Sequence, residues 1–192
     1  MARSVARRFT LALLLGGALA LPSSAAAVTL TPAPPADARC ETTSTGTICF
    51  WSDTFGPPIP LPYGPTCGGL PVLFFFTGDR SWTTWYDENG TLVRRVRHAS
   101  YEGTLSIAAT GASVPHAGHF TLHEDFLAGT STVTGLVSRS VVVGDGVIWR
   151  HVGRRVVSLA TGAPLSQAGD FDLFALLAGD PTVAAELCAA LS

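Results

Sequence analysis

Three histidines, His116, His119 and His123, fall within the run H-A-G-H-F-T-L-H-E-D-F that ends at Phe126. On a strand, alternate side chains take opposite faces. His119, Thr121, His123 and Asp125 then share one face, and Phe120, Leu122 and Phe126 the other. Two histidines two residues apart can share a metal, with Asp125 or a cross-strand residue as third ligand. The apolar set makes the better core face, so the histidines are expected to point away from it. A solvated polar face is the simpler expectation, and no metal is assigned. His98 and His151 sit in the arginine-rich runs R-R-V-R-H and W-R-H-V-G-R-R. There Arg94, Arg95, Arg97, Arg150, Arg154 and Arg155 make two basic stripes. Adjacent stripes would capture a carboxylate or phosphate through bidentate guanidinium contacts; otherwise they are charged outer faces. Trp82 and Tyr86 share a strand face and Trp85 takes the other. With Trp51 and Trp149 they line a ligand cup or fill a core.

The candidate ligand-binding set is therefore Trp82, Tyr86, Trp149, His98, His116, His119, His123 and Arg95. No catalytic residue is assigned and no cofactor is expected. Glu102, Glu124 and Asp125 are the carboxylates embedded in strands near histidines. No G-x-S-x-G elbow, H-E-x-x-H helix, phosphate-binding loop or G-x-G-x-x-G turn occurs.

These residues must be positioned by β-structure. Ala109 to Phe120 (A-T-G-A-S-V-P-H-A-G-H-F) returns at Ala160 to Phe171 as A-T-G-A-P-L-S-Q-A-G-D-F. Each copy is a turn with an extended arm on either side, which predicts a repeated hairpin. Gln167 and Asp170 stand in the second copy where the first has His116 and His119. Strands are expected at Leu70–Phe76, Arg80–Asp87, Thr91–Ala99, Tyr101–Ala109, His116–Phe126, Thr130–Val143, Val147–Leu159 and near Leu165–Gly169. Gly78-Asp79, Asp87–Gly90 and Gly144–Gly146 read as turns, and Gly153 as a bulge. Val133, Val137, Val141 and Val143 are placed on one face. Asp53 to Gly69 is proline- and glycine-rich and reads as a long loop, a candidate lid or protein-contact loop. Asp180-Pro181 starts a helix over 181–191, with Asp as N-cap and Pro at the first helical position. The sum is mainly β: an antiparallel β-barrel of about eight to ten strands with a short C-terminal helix, or else a β-sandwich.

The N-terminus reads as a signal peptide over residues 1–26. Arg3, Arg7 and Arg8 precede the apolar run Phe9–Leu21, and small residues follow, with cleavage after Ala26. The run is short for a membrane span. Residues 27–38 form a disordered or extended proline-rich leader, and 39–192 one domain. Beyond residue 26, nine arginines face fourteen carboxylates, a formal charge of −5. That balance argues against a nucleic-acid partner. Four cysteines in a secreted chain predict two disulfides. Cys40 and Cys49 flank T-T-S-T-G-T, and a symmetric hairpin there would set them opposite each other. Cys67 then pairs with Cys188. Secretion, no stable membrane insertion and no named protein partner are the expectations.

Several segments resemble a set of uncharacterised secreted proteins of high-GC actinobacteria. They are the C-x8-C hairpin Cys40–Cys49, W-Y-D-x-x-G-x-L at Trp85–Leu92, Gly103–Val114, Gly153–Gly162 and L-C-A-A-L at Leu187–Leu191. The set carries no assigned activity. Its barrel pattern is similar to calycin and allene oxide cyclase-like barrels, which implies a hold on apolar or amphipathic small molecules without a cofactor. Non-catalytic binding or a structural extracellular role is the leading expectation. A cofactor-free cyclase or isomerase, a His-metal enzyme and a secreted inhibitor are the alternatives.

Overall fold

The computed structural model describes residues 28–142, 146–171 and 181–192. The expected signal peptide and the Gly144-Asp145 part of the expected turn lie outside them. The chain is mainly β, one antiparallel sheet with a short C-terminal helix. In order come β1 (Arg39–Thr43), β2 (Gly46–Phe55), β3 (Leu61–Cys67), β4 (Leu70–Tyr86), β5 (Leu92–Ser106), β6 (Ser113–Asp125), β7 (Thr130–Val142), β8 (Gly146–Ser158), β9 (Pro164–Phe171) and α1 (Pro181–Ala190). The pairing order is β1-β2-β4-β5-β6-β7-β8-β9, with β3 also on β4. Among the described residues no ladder joins β9 to β1.

Several local expectations are corrected. Gly78-Asp79 is no turn: β4 runs straight through it, and Gly78 pairs with Tyr101. A Cβ there would sit 2.2 Å from the Ser100 carbonyl oxygen, so this glycine serves close strand approach instead of reversal. Likewise β5 is one strand where two were expected. The long 53–69 loop shrinks to residues 56–60, because β2 continues to Phe55 and β3 pairs with the first half of β4. Pro62 and Pro65 are tolerated because β3 has a ladder on one side only. Gly153 is no bulge. It is paired with Gly135 and Gly169, and its φ of 142° lets the backbones approach. The extra residue is instead Val137, unopposed in both of its ladders. That bulge breaks the alternation expected to align Val133 with Val137 and Val141.

The repeated turns are built alike. The Gly111 amide donates to the Ile107 carbonyl and the Gly162 amide to that of Ser158. The hydroxyls of Thr110 and Thr161 accept from the amides of Ala112 and Ala163, each at 3.2 Å. Where the sequence predicts a disordered or extended leader, the chain is extended and attached. The Thr31 amide donates to the Gly90 carbonyl at 2.8 Å, and the Tyr86 hydroxyl donates to the Pro32 carbonyl at 2.9 Å.

The core lies at one end of the sheet. Val72, Leu105, Ile107 and Val114 pack under Leu187 of α1 and Leu191 just beyond it. Each such burial stabilises by about 1.5–3 kcal/mol. The face carrying these residues is the inner face. α1 contacts both β3 and β8, and the expected Cys67–Cys188 disulfide ties it to the end of β3. Cys40 and Cys49 are directly opposed in the β1–β2 hairpin and bonded, as expected. Bulges and glycine kinks are the devices that coil a sheet. Register shifts interrupt the β3–β4, β4–β5, β6–β7, β7–β8 and β8–β9 ladders. Alternation and register put Gly78, Gly103, Gly118, Gly135, Gly153 and Gly169 on the inner face.

Candidate functional site

The inner face carries its side chains in rows that cross the strands. Nearest the helix, His116 is buried at 2% exposure. Its Nδ1 lies 2.8 Å from Ser140 Oγ and its Nε2 3.2 Å from the Tyr101 hydroxyl. Tyr101 donates to the carbonyl of the bulged Val137 at 2.9 Å, so its oxygen accepts from His116. This fixes a neutral imidazole with its proton on Nε2, accepting at Nδ1 from Ser140. Burial pushes the His116 pKa down to about 4 and raises that of Tyr101. The ring of Phe74 meets His116 edge-on at 4.9 Å. This is a buried polar cluster whose side chains hydrogen-bond one another.

Towards the other end the inner face becomes half-exposed and mixed. One row runs Trp51, Trp82, Arg97, Leu122, Val133, Arg155, Gln167 across seven strands. Beside it runs Asp53, Arg80, Ala99, Phe120, Gly135, Gly153, Gly169. From Ala99 on, that second row holds small residues except Phe120. Trp82 is the centre. Its ring stacks on Trp51 at 5.7 Å, and its indole nitrogen donates to Asp53 Oδ1 at 3.1 Å. Three guanidiniums surround it: Arg80 at 5.4 Å, Arg95 at 5.5 Å and Arg97 at 5.2 Å. Arg95 also lies 5.6 Å from Phe126, and Arg97 5.6 Å from Phe120.

These arginines differ in their partners. Arg80 holds Asp53 with two hydrogen bonds, which lowers the Asp53 pKa below its usual 3.8. Arg95 holds Glu124 at 2.6 Å. Arg97 has neither a hydrogen bond nor an ion pair among the described residues, and its Nε is buried. Burial first, and the neighbouring Arg80 charge next, lower the Arg97 pKa. The Thr84 hydroxyl, beside Arg95 on the same face, is also buried without a partner among the described residues.

The sequence candidates are thus divided. Trp82 and Arg95 come together on the inner face. Tyr86 lies farther along β4 and is committed to Pro32, and burial raises its pKa. Against the expectation for the histidines as a group, His116 shares the core face, since it is an even number of residues from Phe120. His98 and His119 are exposed on the outer face and line an open cleft of about 540 Å³ with Asp79, Ser81, Ser100 and Thr121. There His98 Nδ1 lies 2.9 Å from Thr121 Oγ1. His123 also takes the outer face, four residues along β6 from His119 and opposite Val96 and Thr132. Among the described residues no three His, Cys, Asp or Glu side chains converge as a metal set. Trp149 stands opposite Ser140 in register; its side chain lies outside the described set.

Arg97 is the residue that sequence reasoning undervalued. With β5 taken as one strand, alternation places Arg95, Arg97, Ala99, Tyr101 and Leu105 on one face with the core. Breaking the strand at Ser100 hid that link and left the arginines as an outer stripe. Arg94 does take the outer face, stacked at 3.8 Å over Trp85. No protein-family model, no curated protein and no solved structure matches this chain.

Proposed function

We propose that this is a secreted, non-catalytic protein that binds a small amphipathic molecule on the inner face of its sheet. The observation that carries this reading is the half-exposed Trp82, ringed by Trp51, Arg80, Arg95 and Arg97 and bordered by a row of small residues. Aromatic and apolar surface with a few convergent polar groups is the usual makeup of a small-molecule site. An aromatic row needed only for the core would be fully buried, as Leu105 and Val72 are. Two disulfides suit an oxidising compartment. The resemblance to ligand-holding barrels agrees with this reading as fold analogy.

Titration with the neutral dye Nile red, read by dye emission and by quenching of tryptophan fluorescence, tests it. Saturable one-to-one binding that weakens at least tenfold in Leu122→Asp is expected. Leu122 is half-buried, so circular dichroism must first show that the variant is folded. No saturable binding by the natural chain would overturn the reading.

A further inference from the structure

We infer that the molecule bound on the inner face carries a single carboxylate, received by Arg97. This rests on the inner-face binding reading and adds the chemical class of the ligand. Between β2 and β6, the inner face holds three guanidiniums and two carboxylates around Trp82. Asp53 is taken by Arg80 and Glu124 by Arg95. One positive charge, on Arg97, is left over. Among the described residues its buried Nε has no hydrogen-bond partner, and the two rings beside it supply only weak cation–π attraction. A desolvated charge without a counter-ion is unfavourable. Unsatisfied buried donors are rare enough in native proteins to call for an explanation. A second one, the Thr84 hydroxyl, lies on the adjoining strand β4, opposite Arg95 and two residues from Trp82.

The surplus of one charge sets the ligand's charge at one. A dianion such as a phosphate monoester would over-neutralise Arg97 and meet repulsion from Asp53 and Glu124 on either side. A carboxylate matches the planar guanidinium fork in two parallel hydrogen bonds. Phe120 and Leu122 flank Arg97 across β6 and would cover the apolar body of such a molecule.

The test compares each acid with its neutral counterpart in displacing Nile red: dodecanoate against dodecanol, and 2-naphthoate against 2-naphthylmethanol. Both pairs are measured on the natural chain and on Arg97→Gln at neutral pH. The natural chain is expected to prefer at least one acid tenfold or more, and Arg97→Gln to abolish that preference while the alcohols bind as before. The preferred pair separates an aliphatic from an aromatic body. Equal binding of acid and alcohol, or a preference that survives in Arg97→Gln, would overturn the inference while leaving Nile red binding intact. Failure of Nile red itself would reject the underlying site instead. Should Arg97→Gln not fold, dodecyltrimethylammonium on the natural chain decides: binding as tight as dodecanoate sinks the proposal, and binding tenfold weaker supports it.

Discussion

The ring of Tyr101 lies over Gly118 on the adjacent strand. A Cβ added to Gly118 would fall 2.6 Å from Tyr101 Cε1 and 2.3 Å from the Val137 carbonyl oxygen. Gly78, on the other side of Tyr101, is as crowded, with the Tyr101 Cβ 2.7 Å away. One tyrosine is thus seated between two glycines, and its hydroxyl reaches the β7 bulge at Val137. Gly118→Ala would force the ring and the bulge apart, and overpacking of this kind costs about 1–3 kcal/mol. Tyr101→Phe keeps the ring and loses a hydrogen bond, worth about 1 kcal/mol, and leaves the Val137 carbonyl to find another donor. Urea denaturation should rank Gly118→Ala as the more damaging of the two. The reverse order would show that β7 moves freely.

The buried imidazole of His116 makes stability depend on pH in a defined window. Its folded pKa of about 4 lies below the usual 6.5. The folded state therefore binds fewer protons than the unfolded one between these values, and stability falls as pH falls from about 6.5 to 4. The loss is at most roughly 3 kcal/mol. Above pH 6.5 this contribution is complete. Asp53, whose pKa is lowered chiefly by its Arg80 hydrogen bond, acts in a separate window. Its contribution is lost only below about 3.8. Denaturation midpoints at pH 7.5, 5.5 and 4.5 should decline in the natural chain and stay flatter in His116→Gln. The same slope in both would assign the acid sensitivity elsewhere.

The two disulfides should differ in weight. Cys67 and Cys188 are 121 residues apart in sequence, and Cys40 and Cys49 only 9. In the chain-entropy model a loop beyond a hundred residues contributes about 4–5 kcal/mol and a ten-residue loop about 2.5. The long bridge also holds α1, whose Leu187, with Leu191 just beyond it, packs against Val72, Leu105 and Val114. Cys67→Ser with Cys188→Ser should lower the melting temperature more than Cys40→Ser with Cys49→Ser. It should also raise binding of a hydrophobic dye as the core is uncovered. Equal shifts for the two pairs would mean that α1 docks without its tether.

Much of this was legible in the residues. The Cys40–Cys49 pair followed from a symmetric turn, and the twin turns from the Ala-Thr-Gly-Ala echo, because both depend on short-range geometry. Long-range effects were harder to read. Gly78 and Gly153 look like a turn and a bulge in the sequence, yet each is small because a neighbouring backbone passes close by. Prolines in β3 suggested a loop, since the sequence does not reveal that the strand pairs on one side only. The Val137 bulge shifts the face of every later residue in β7, and nothing local marks it. The inward turn of Arg95 and Arg97 depended on seeing β5 as unbroken for fifteen residues.

Glu124 offers a way to raise affinity at the inner face. Its carboxylate, 12% exposed, neutralises Arg95 beside Trp82 at 2.6 Å. Glu124→Gln would free a second guanidinium one position along β5 face from Arg97, and would remove the negative charge nearest the proposed carboxylate. Because Arg95 is about a third exposed, water replaces much of the lost pair, and the stability cost should stay near 1 kcal/mol or less. Dodecanoate should bind several-fold more tightly to Glu124→Gln, with dodecanol unchanged. The gain should shrink as salt is raised from 50 to 500 mM, because screening weakens the attraction. Arg94→Gln, on the opposite face over Trp85, is the control and should leave both affinities alone. An unchanged dodecanoate affinity in Glu124→Gln would place the anion away from the Arg95–Arg97 pair.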